Sequence, residues 1–155
     1  MTLQDLGSIG ELLGGVAVVV SLIYLALQIR QNTETVRAST FQQAAASSSA
    51  LAEQLSLDPE LTRIFTSGVN ELASLSEEDL PRFTFMGISF YRQLGNLHHQ
   101  SRKGLINEED WEGIRESYLR TISRPGMETW WQENSYRFNR HFRSFIDEEL
   151  RRRAA

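Results

Sequence analysis

The chain has 155 residues, which leaves room for one small domain, and its net charge of −4 argues against a nucleic-acid partner. Proteins that bind nucleic acid usually present a dense basic surface, which this excess of acidic residues does not supply. The sequence contains no cysteine, so disulfide bonds, thiolate nucleophiles and cysteine-based metal sites are excluded.

Helix-start signals precede the most apolar part of the sequence. Ser8 and Glu11 have the spacing of a capping box, in which a hydroxyl and a carboxylate satisfy free N–H groups of the first helical turn. Thr2 and Asp5 show the same spacing. We expect a helix to begin at the second pair, with residues 1–8 forming an N-terminal cap or interfacial segment.

The apolar stretch at residues 12–27 contains no charged side chain. Extended to Ile9 and Ile29, it would cover about 31 Å as a helix, close to the thickness of a bilayer's hydrocarbon core. The sequence therefore predicts a transmembrane helix at residues 9–29. A buried helix of a soluble protein is one alternative. A cleaved signal peptide is the other, but it needs a basic region before the apolar run, and no Lys or Arg precedes this one.

Charges on the two sides of this segment predict its orientation. Asp5 and Glu11 lie at its N-terminal side, whereas Arg30 and Arg37 follow it. Basic residues near a membrane helix are retained on the cytoplasmic side. We therefore expect the N-terminus outside and the C-terminal body in the cytoplasm.

A narrow face of small residues lies within the predicted membrane helix. Gly10 and Gly14 form a Gly-x-x-x-Gly pair, and Ala17 and Ser21 continue the same face at helical spacing. Small residues let two helices approach closely in lipid, so this face is a candidate self-association surface. The alternative is that glycine is simply frequent in membrane helices.

Residues 30–57 contain neither glycine nor proline, and Asp58-Pro59 is the first stop signal after them. The membrane helix is therefore predicted to continue as a long stalk helix. Because the stalk is rich in polar and small side chains, it would not be stable alone. We expect it to pack on the body of the protein or on a copy of itself.

Residues 58–150 are predicted to form a helical body, followed by a basic tail at residues 151–155. Caps and breaks divide the body into short helices: an N-cap at Asp58, a stop at Gly68, a cap at Asp79, a stop at Gly104, a cap at Asn107 and a break at Arg124-Pro125-Gly126. No segment shows the alternation of a strand. The prediction is an all-α fold, in which a single N-terminal transmembrane helix continues into a long stalk helix and is followed by a small helical bundle.

Catalytic and metal-binding motifs are not found in the sequence. The histidines are His98, His99 and His141, and no His-x-x-x-His or Glu-x-x-His pair occurs. We expect no metal, cofactor or catalytic site, with His98 at the edge of the core and His99 facing solvent. An enzyme would become plausible if His98, Glu116 and Arg120 met around one buried pocket.

Aromatic residues are concentrated in the body. Phe90, Tyr91, Trp111, Trp130 and Trp131 form a candidate aromatic pocket for an apolar ligand. Aromatic residues at helical spacing more often fill a core, which is the competing interpretation.

The stretch Gly15–Thr33, with its Gln-Ile-Arg-Gln-Asn-Thr junction, and the continuation Val36–Thr40 resemble a group of small uncharacterised bacterial proteins. These proteins also share a Trp-rich C-terminal half, represented here by Gly126–Trp131. The likeness is sharp over residues 3–40 and loose beyond them. It implies a bacterial source and an inner-membrane location, and it supplies no activity, cofactor or catalytic residue.

These features favour a membrane-anchored protein without enzymatic activity. Its partners would be the lipid bilayer and either further copies of itself or the subunits of a larger membrane complex, with no nucleic acid. In this interpretation the protein is a homo-oligomeric scaffold or an accessory subunit. The alternative is a membrane-tethered sensor or carrier that binds a small apolar ligand or lipid in its aromatic body.

Overall fold

The structure is a computed structural model that describes residues 3–154, except for the side chains of residues 3–10, 12, 44, 47–49 and 154. The described residues form helices and no strand, which confirms the all-α prediction. The α-helices are α1 (Leu3–Leu57), α2 (Pro59–Asn70), α3 (Asp79–Arg102), α4 (Glu108–Ile122), α5 (Pro125–Asn134) and α6 (Arg140–Ala154). Short 3-10 helices occur at Leu72–Ser74 and Ser135–Arg137.

Helix α1 is uninterrupted, which confirms that the apolar N-terminal helix continues into the stalk. It ends at Leu57, because Pro59 lacks an N–H group and its ring disfavours a helical residue before it. Its start differs from the prediction: α1 already includes Leu3, so Ser8 and Glu11 lie inside the helix, and Thr2 lies outside the described residues. A capping signal favours a start but does not stop an established helix from extending past it.

The chain divides into two compact units, Met1–Ser39 and Thr40–Ala155. The first unit contains the N-terminal part of α1. The second contains residues 40–57 of α1 together with α2–α6. The last turns of the predicted stalk therefore belong to the same unit as the helical body.

Helix α2 begins as predicted and ends later than predicted. The Asp58 carboxylate accepts hydrogen bonds from the backbone N–H groups of Glu60 at 2.9 Å and Leu61 at 3.2 Å. The helix then passes through Gly68 and continues to Asn70. The stop predicted at Gly68 is wrong because this glycine serves packing: a Cβ there would lie 2.4 Å from Cδ2 of Phe83.

Helix α3 is capped by a different residue from the one predicted. Asp79 is its first residue, and the backbone N–H of Asp79 donates to the hydroxyl of Ser76 at 3.1 Å. The Asp79 carboxylate is not free to cap, because it accepts a 2.8 Å hydrogen bond from Arg63 of α2. Sequence spacing within this segment does not reveal the bond to Arg63, because Arg63 lies in another helix.

The connection between α3 and α4 follows the predicted signals. Gly104 has a φ of 68°, a left-handed conformation that glycine adopts without strain, and it follows the end of α3 at Arg102. The Asn107 side chain accepts a 2.8 Å hydrogen bond from the N–H of Asp110 and caps α4.

The core of the second unit lies among α2–α6. Its largest fully buried side chains include Phe83, Tyr91, Ile122, Trp130 and Ile146. Helices α2 and α5 approach each other most closely at two glycines, since a Cβ on Gly126 would lie 1.9 Å from the carbonyl oxygen of Gly68. This close approach holds the tryptophans of α5 against the core.

Candidate functional site

The apolar part of α1 is long enough to cross a membrane. The stretch Leu13–Gln43 reaches a mean hydropathy of 1.9, and no residue of its most apolar window is buried. Large side chains such as Val18 and Leu22 remain about 60% exposed. The core helix of a soluble protein is mostly buried, and the apolar window of α1 is not.

Polar side chains in this segment satisfy their hydrogen bonds inside the helix. The hydroxyl of Ser21 donates to the carbonyl oxygen of Ala17 at 2.8 Å, and that of Thr33 donates to Ile29 at 2.9 Å. Arg30 forms an ion pair with Glu34 one turn later, at 3.3 Å. Of these residues, Ser21 lies within the predicted membrane helix, where a bilayer core would offer no water to replace a missing partner.

The candidate self-association face is open in the described structure. A Cβ added at Gly14 would meet no described atom within 4 Å, and Ala17 and Ser21 are exposed. The surroundings of Gly10 lie outside the described residues. The structure therefore leaves this face available to a second helix.

Three residues of the candidate aromatic pocket fill the core. The Tyr91 ring stacks on Trp130 with centroids 5.3 Å apart and on Trp131 at 4.7 Å. All three side chains are buried. Burial raises the pKa of the Tyr91 hydroxyl, which stays protonated and donates to the carbonyl oxygen of Met127 at 3.2 Å. These rings pack against one another, and they line neither of the two cavities described below.

The other two candidate residues are partly buried and pack against the same core, where the Phe90 ring meets the Tyr91 ring edge-on with centroids 6.2 Å apart. Phe90 packs on Tyr118 of α4 with ring centroids 4.7 Å apart, whereas Trp111 lies 5.8 Å from the ring of His98. Of the five residues, Phe90 lines the open cavity described below, and the other four are not among its lining residues.

His98 occupies the predicted position at the edge of the core. Its ring stacks on Phe145 of α6 with centroids 4.1 Å apart, and His99 is exposed as expected. Glu116 pairs with Arg120 at 3.3 Å on the surface of α4 and also with Arg153 of α6. The His98 ring packs instead against the rings of Trp111, Phe142 and Phe145. Among the described residues, no group of three or more His, Asp or Glu side chains is placed to hold a metal ion.

A buried ion pair between α4 and α6 was missed by the sequence analysis. Arg115 binds Glu149 with a shortest distance of 2.7 Å, and the Glu149 side chain is 7% exposed. Hydrogen bonding to Glu149 raises the pKa of Arg115. No local pattern signals this pair, because its members are separated by 34 positions.

An open cavity beside the C-terminal part of α1 was also missed. It has a volume of about 410 Å³ and is lined by Leu51 and Leu55 of α1, Phe65 of α2, Phe90 of α3 and Tyr118 of α4. Phe90 is the member of the predicted aromatic pocket that lines it. The cavity is created by the packing of four helices, so the sequence of one segment does not predict it.

A second cavity of about 330 Å³ adjoins the first. Phe41 and Ala45 of α1 line it, together with Ile114 of α4. Ser117 and Tyr118 line both cavities. We call the two adjoining cavities the stalk groove. It lies entirely within the second compact unit.

Comparison with known proteins assigns no family to the chain. No family model, curated protein or solved structure matches it. The functional argument therefore rests on the apolar part of α1 and the geometry of the helical body.

Proposed function

We propose that α1 anchors the protein in a bacterial inner membrane, where it acts as a homo-oligomeric scaffold or an accessory subunit of a membrane complex. The observation that carries this proposal is the apolar stretch Leu13–Gln43, whose window contains no buried residue. A Val, Leu or Ile side chain gains about 1.5–3 kcal/mol on leaving water. A helix with many such side chains is therefore more stable in the hydrocarbon core of a bilayer than in water.

The proposed orientation places the N-terminus outside and the second compact unit in the cytoplasm. Arg30 and Arg37 follow the most apolar part of α1, and the residues before it contribute only acidic charges. Retention of basic residues on the cytoplasmic side supports this direction.

The proposed scaffold role rests on the surface properties of the anchor. Gly14, Ala17 and Ser21 form an open strip of small residues along one side of α1. Such strips allow close backbone approach between membrane helices, and the approach is stabilised by van der Waals contact. In such an assembly, each copy of the anchor would carry one helical body.

Single-cysteine labelling tests the anchor and its direction, because the natural chain contains no cysteine. Ser8→Cys introduces a thiol before the apolar stretch, and Ser144→Cys introduces one on the exposed surface of α6. In intact spheroplasts, a membrane-impermeant maleimide should label position 8 only. After detergent lysis it should label both.

Two results would contradict this proposal. Labelling of position 144 in intact spheroplasts would reverse the orientation. Recovery of the unlabelled chain in the soluble fraction after gentle lysis would remove the anchor itself, since a helix inserted in lipid remains in the membrane pellet.

A further inference from the structure

The stalk groove follows one side of α1 from Phe41 to Leu55. At the helical rise of 1.5 Å per residue, this distance is about 21 Å. One leaflet of a bilayer contributes about half of a 30 Å hydrocarbon core, or about 15 Å. The groove is therefore long enough to hold one extended acyl chain.

The lining of the groove is uncharged. None of the described residues that line either cavity is Asp, Glu, Lys, Arg or His. Apolar walls come from side chains such as Leu51, Leu55 and Phe65, while Ser89 and Thr121 add hydroxyl groups at one edge. A charged ligand would lose its hydration here without an opposite charge to replace it. An apolar chain has no charge whose hydration would be lost.

The size of the groove matches a small ligand. The two cavities have volumes of about 410 and 330 Å³. Ligand pockets for small molecules usually measure about 300–1,000 Å³, so both cavities are large enough for part of an apolar chain.

We propose that the stalk groove binds one acyl chain of a membrane phospholipid, whose head group stays in water outside the uncharged lining. Phe41 belongs to the apolar stretch Leu13–Gln43 and also lines the groove. The inference rests on the proposed membrane anchor for its supply of lipid.

Photolabelling of the full chain in nanodiscs tests the site directly. The probe is phosphatidylcholine with a diazirine at the end of one acyl chain, mixed into ordinary phosphatidylcholine. After irradiation and digestion, mass spectrometry should find adducts on groove peptides around residues 51–55 and 114–121. Adducts at residues 13–29 report the anchor separately, so failure of the groove and failure of the anchor are distinguishable.

A charge placed in the groove provides the matched variant. Ser117 is exposed and lines both cavities, so Ser117→Asp should reduce groove labelling at least fivefold while labelling at residues 13–29 is unchanged. Ser144→Asp places the same charge on the exposed surface of α6 and should leave groove labelling unchanged. If Ser117→Asp loses helical circular dichroism, Ala52→Phe fills the groove without adding a charge and should produce the same loss.

Four outcomes would overturn the proposal. The first is labelling confined to residues 13–39, and the second is equal labelling of the Ser117→Asp and natural chains. The third is labelling of the groove by a diazirine fatty acid but not by the phospholipid, which would identify a different source of the chain. The fourth is cross-linking of two protein copies through the groove without lipid adducts, which would make a second copy the occupant.

Discussion

Arg115 of α4 binds both carboxylate oxygens of Glu149 in α6, with its Nη2 2.9 Å from Oε1 and 2.7 Å from Oε2. The pair joins the last helix to the body at a place where Glu149 has almost no access to water. A carboxylate in such a place depends on its partners. Arg152 also reaches Glu149, at 3.5 Å, but its side chain is 61% exposed, so Arg115 is the cation that shares the buried site.

Removal of Arg115 should destabilise the second compact unit. Breaking one side of a buried pair costs about 3–5 kcal/mol. Because the Arg115 side chain is 20% exposed, solvent screens part of this effect, and we expect Arg115→Met to lower the free energy of unfolding by about 2 kcal/mol. Urea unfolding followed by tryptophan fluorescence measures the change.

A surface pair provides the control for this prediction. Arg120 is 77% exposed and pairs with Glu116, so Arg120→Met should change the free energy of unfolding by less than about 1 kcal/mol. The double variant Arg115→Met/Glu149→Leu should recover most of the loss, since it leaves no buried charge behind. Equal effects of the two single variants would contradict a special role for the buried pair.

Gly126 should tolerate no side chain. A Cβ at this position would lie 1.9 Å from the carbonyl oxygen of Gly68, and backbone on both sides prevents an easy adjustment. We expect Gly126→Ala to lower the free energy of unfolding by about 1–3 kcal/mol, as overpacking does elsewhere.

Gly113 in α4 is the matched control for Gly126. A Cβ there meets no described atom within 4 Å, so Gly113→Ala should be neutral or stabilise the protein by up to about 1 kcal/mol through helix propensity. Thermal unfolding of both variants decides the comparison. A Gly126→Ala protein as stable as Gly113→Ala would show that α2 and α5 are not in close contact.

His98 should make stability depend on pH. Burial and the nearby charge of Arg102 lower the pKa of His98 from its usual 6.5, despite an opposing effect of Glu149. The native state therefore favours the neutral imidazole. Its contribution is complete above pH 6.5 and is lost as the pH falls through the lowered native pKa.

The measurement compares unfolding between pH 7.5 and 5 for the natural chain and two variants. His98→Phe keeps an aromatic ring against Phe145 but cannot be protonated, so its stability should fall less steeply with pH. His141→Gln alters an exposed histidine that does not act on His98 and should retain the natural slope. Parallel curves for all three proteins would mean that His98 titrates alike in the folded and unfolded chain.

The small-residue face of α1 should control self-association. Gly14→Leu adds a bulky side chain to this face and should shift native mass spectra in nanodiscs from oligomer toward monomer. Gly15 lies about 100° away around the helix, and a Cβ there also meets no described atom, so Gly15→Leu is the control. A monomeric natural chain, or equal effects of both substitutions, would contradict the proposed face.

Local chemistry predicted most of the helix boundaries in the body. Asp58 with Pro59, Gly104 and Asn107 act through their own backbone preferences or through N–H groups within three residues, so their spacing was sufficient. Gly68 misled the same reasoning because its role is to admit the Phe83 ring. A glycine required by packing and a glycine that ends a helix are identical in the sequence.

The sequence by itself determined the all-helical fold and the long apolar helix, since periodicity, breakers and hydropathy are properties of neighbouring residues. Only the tertiary structure decided that Tyr91, Trp130 and Trp131 form a solid stack, that Arg115 meets Glu149, and that a groove opens beside α1. Each of these features joins residues that are distant along the chain. Their contact energies depend on how the helices pack, and no segment carries that information alone.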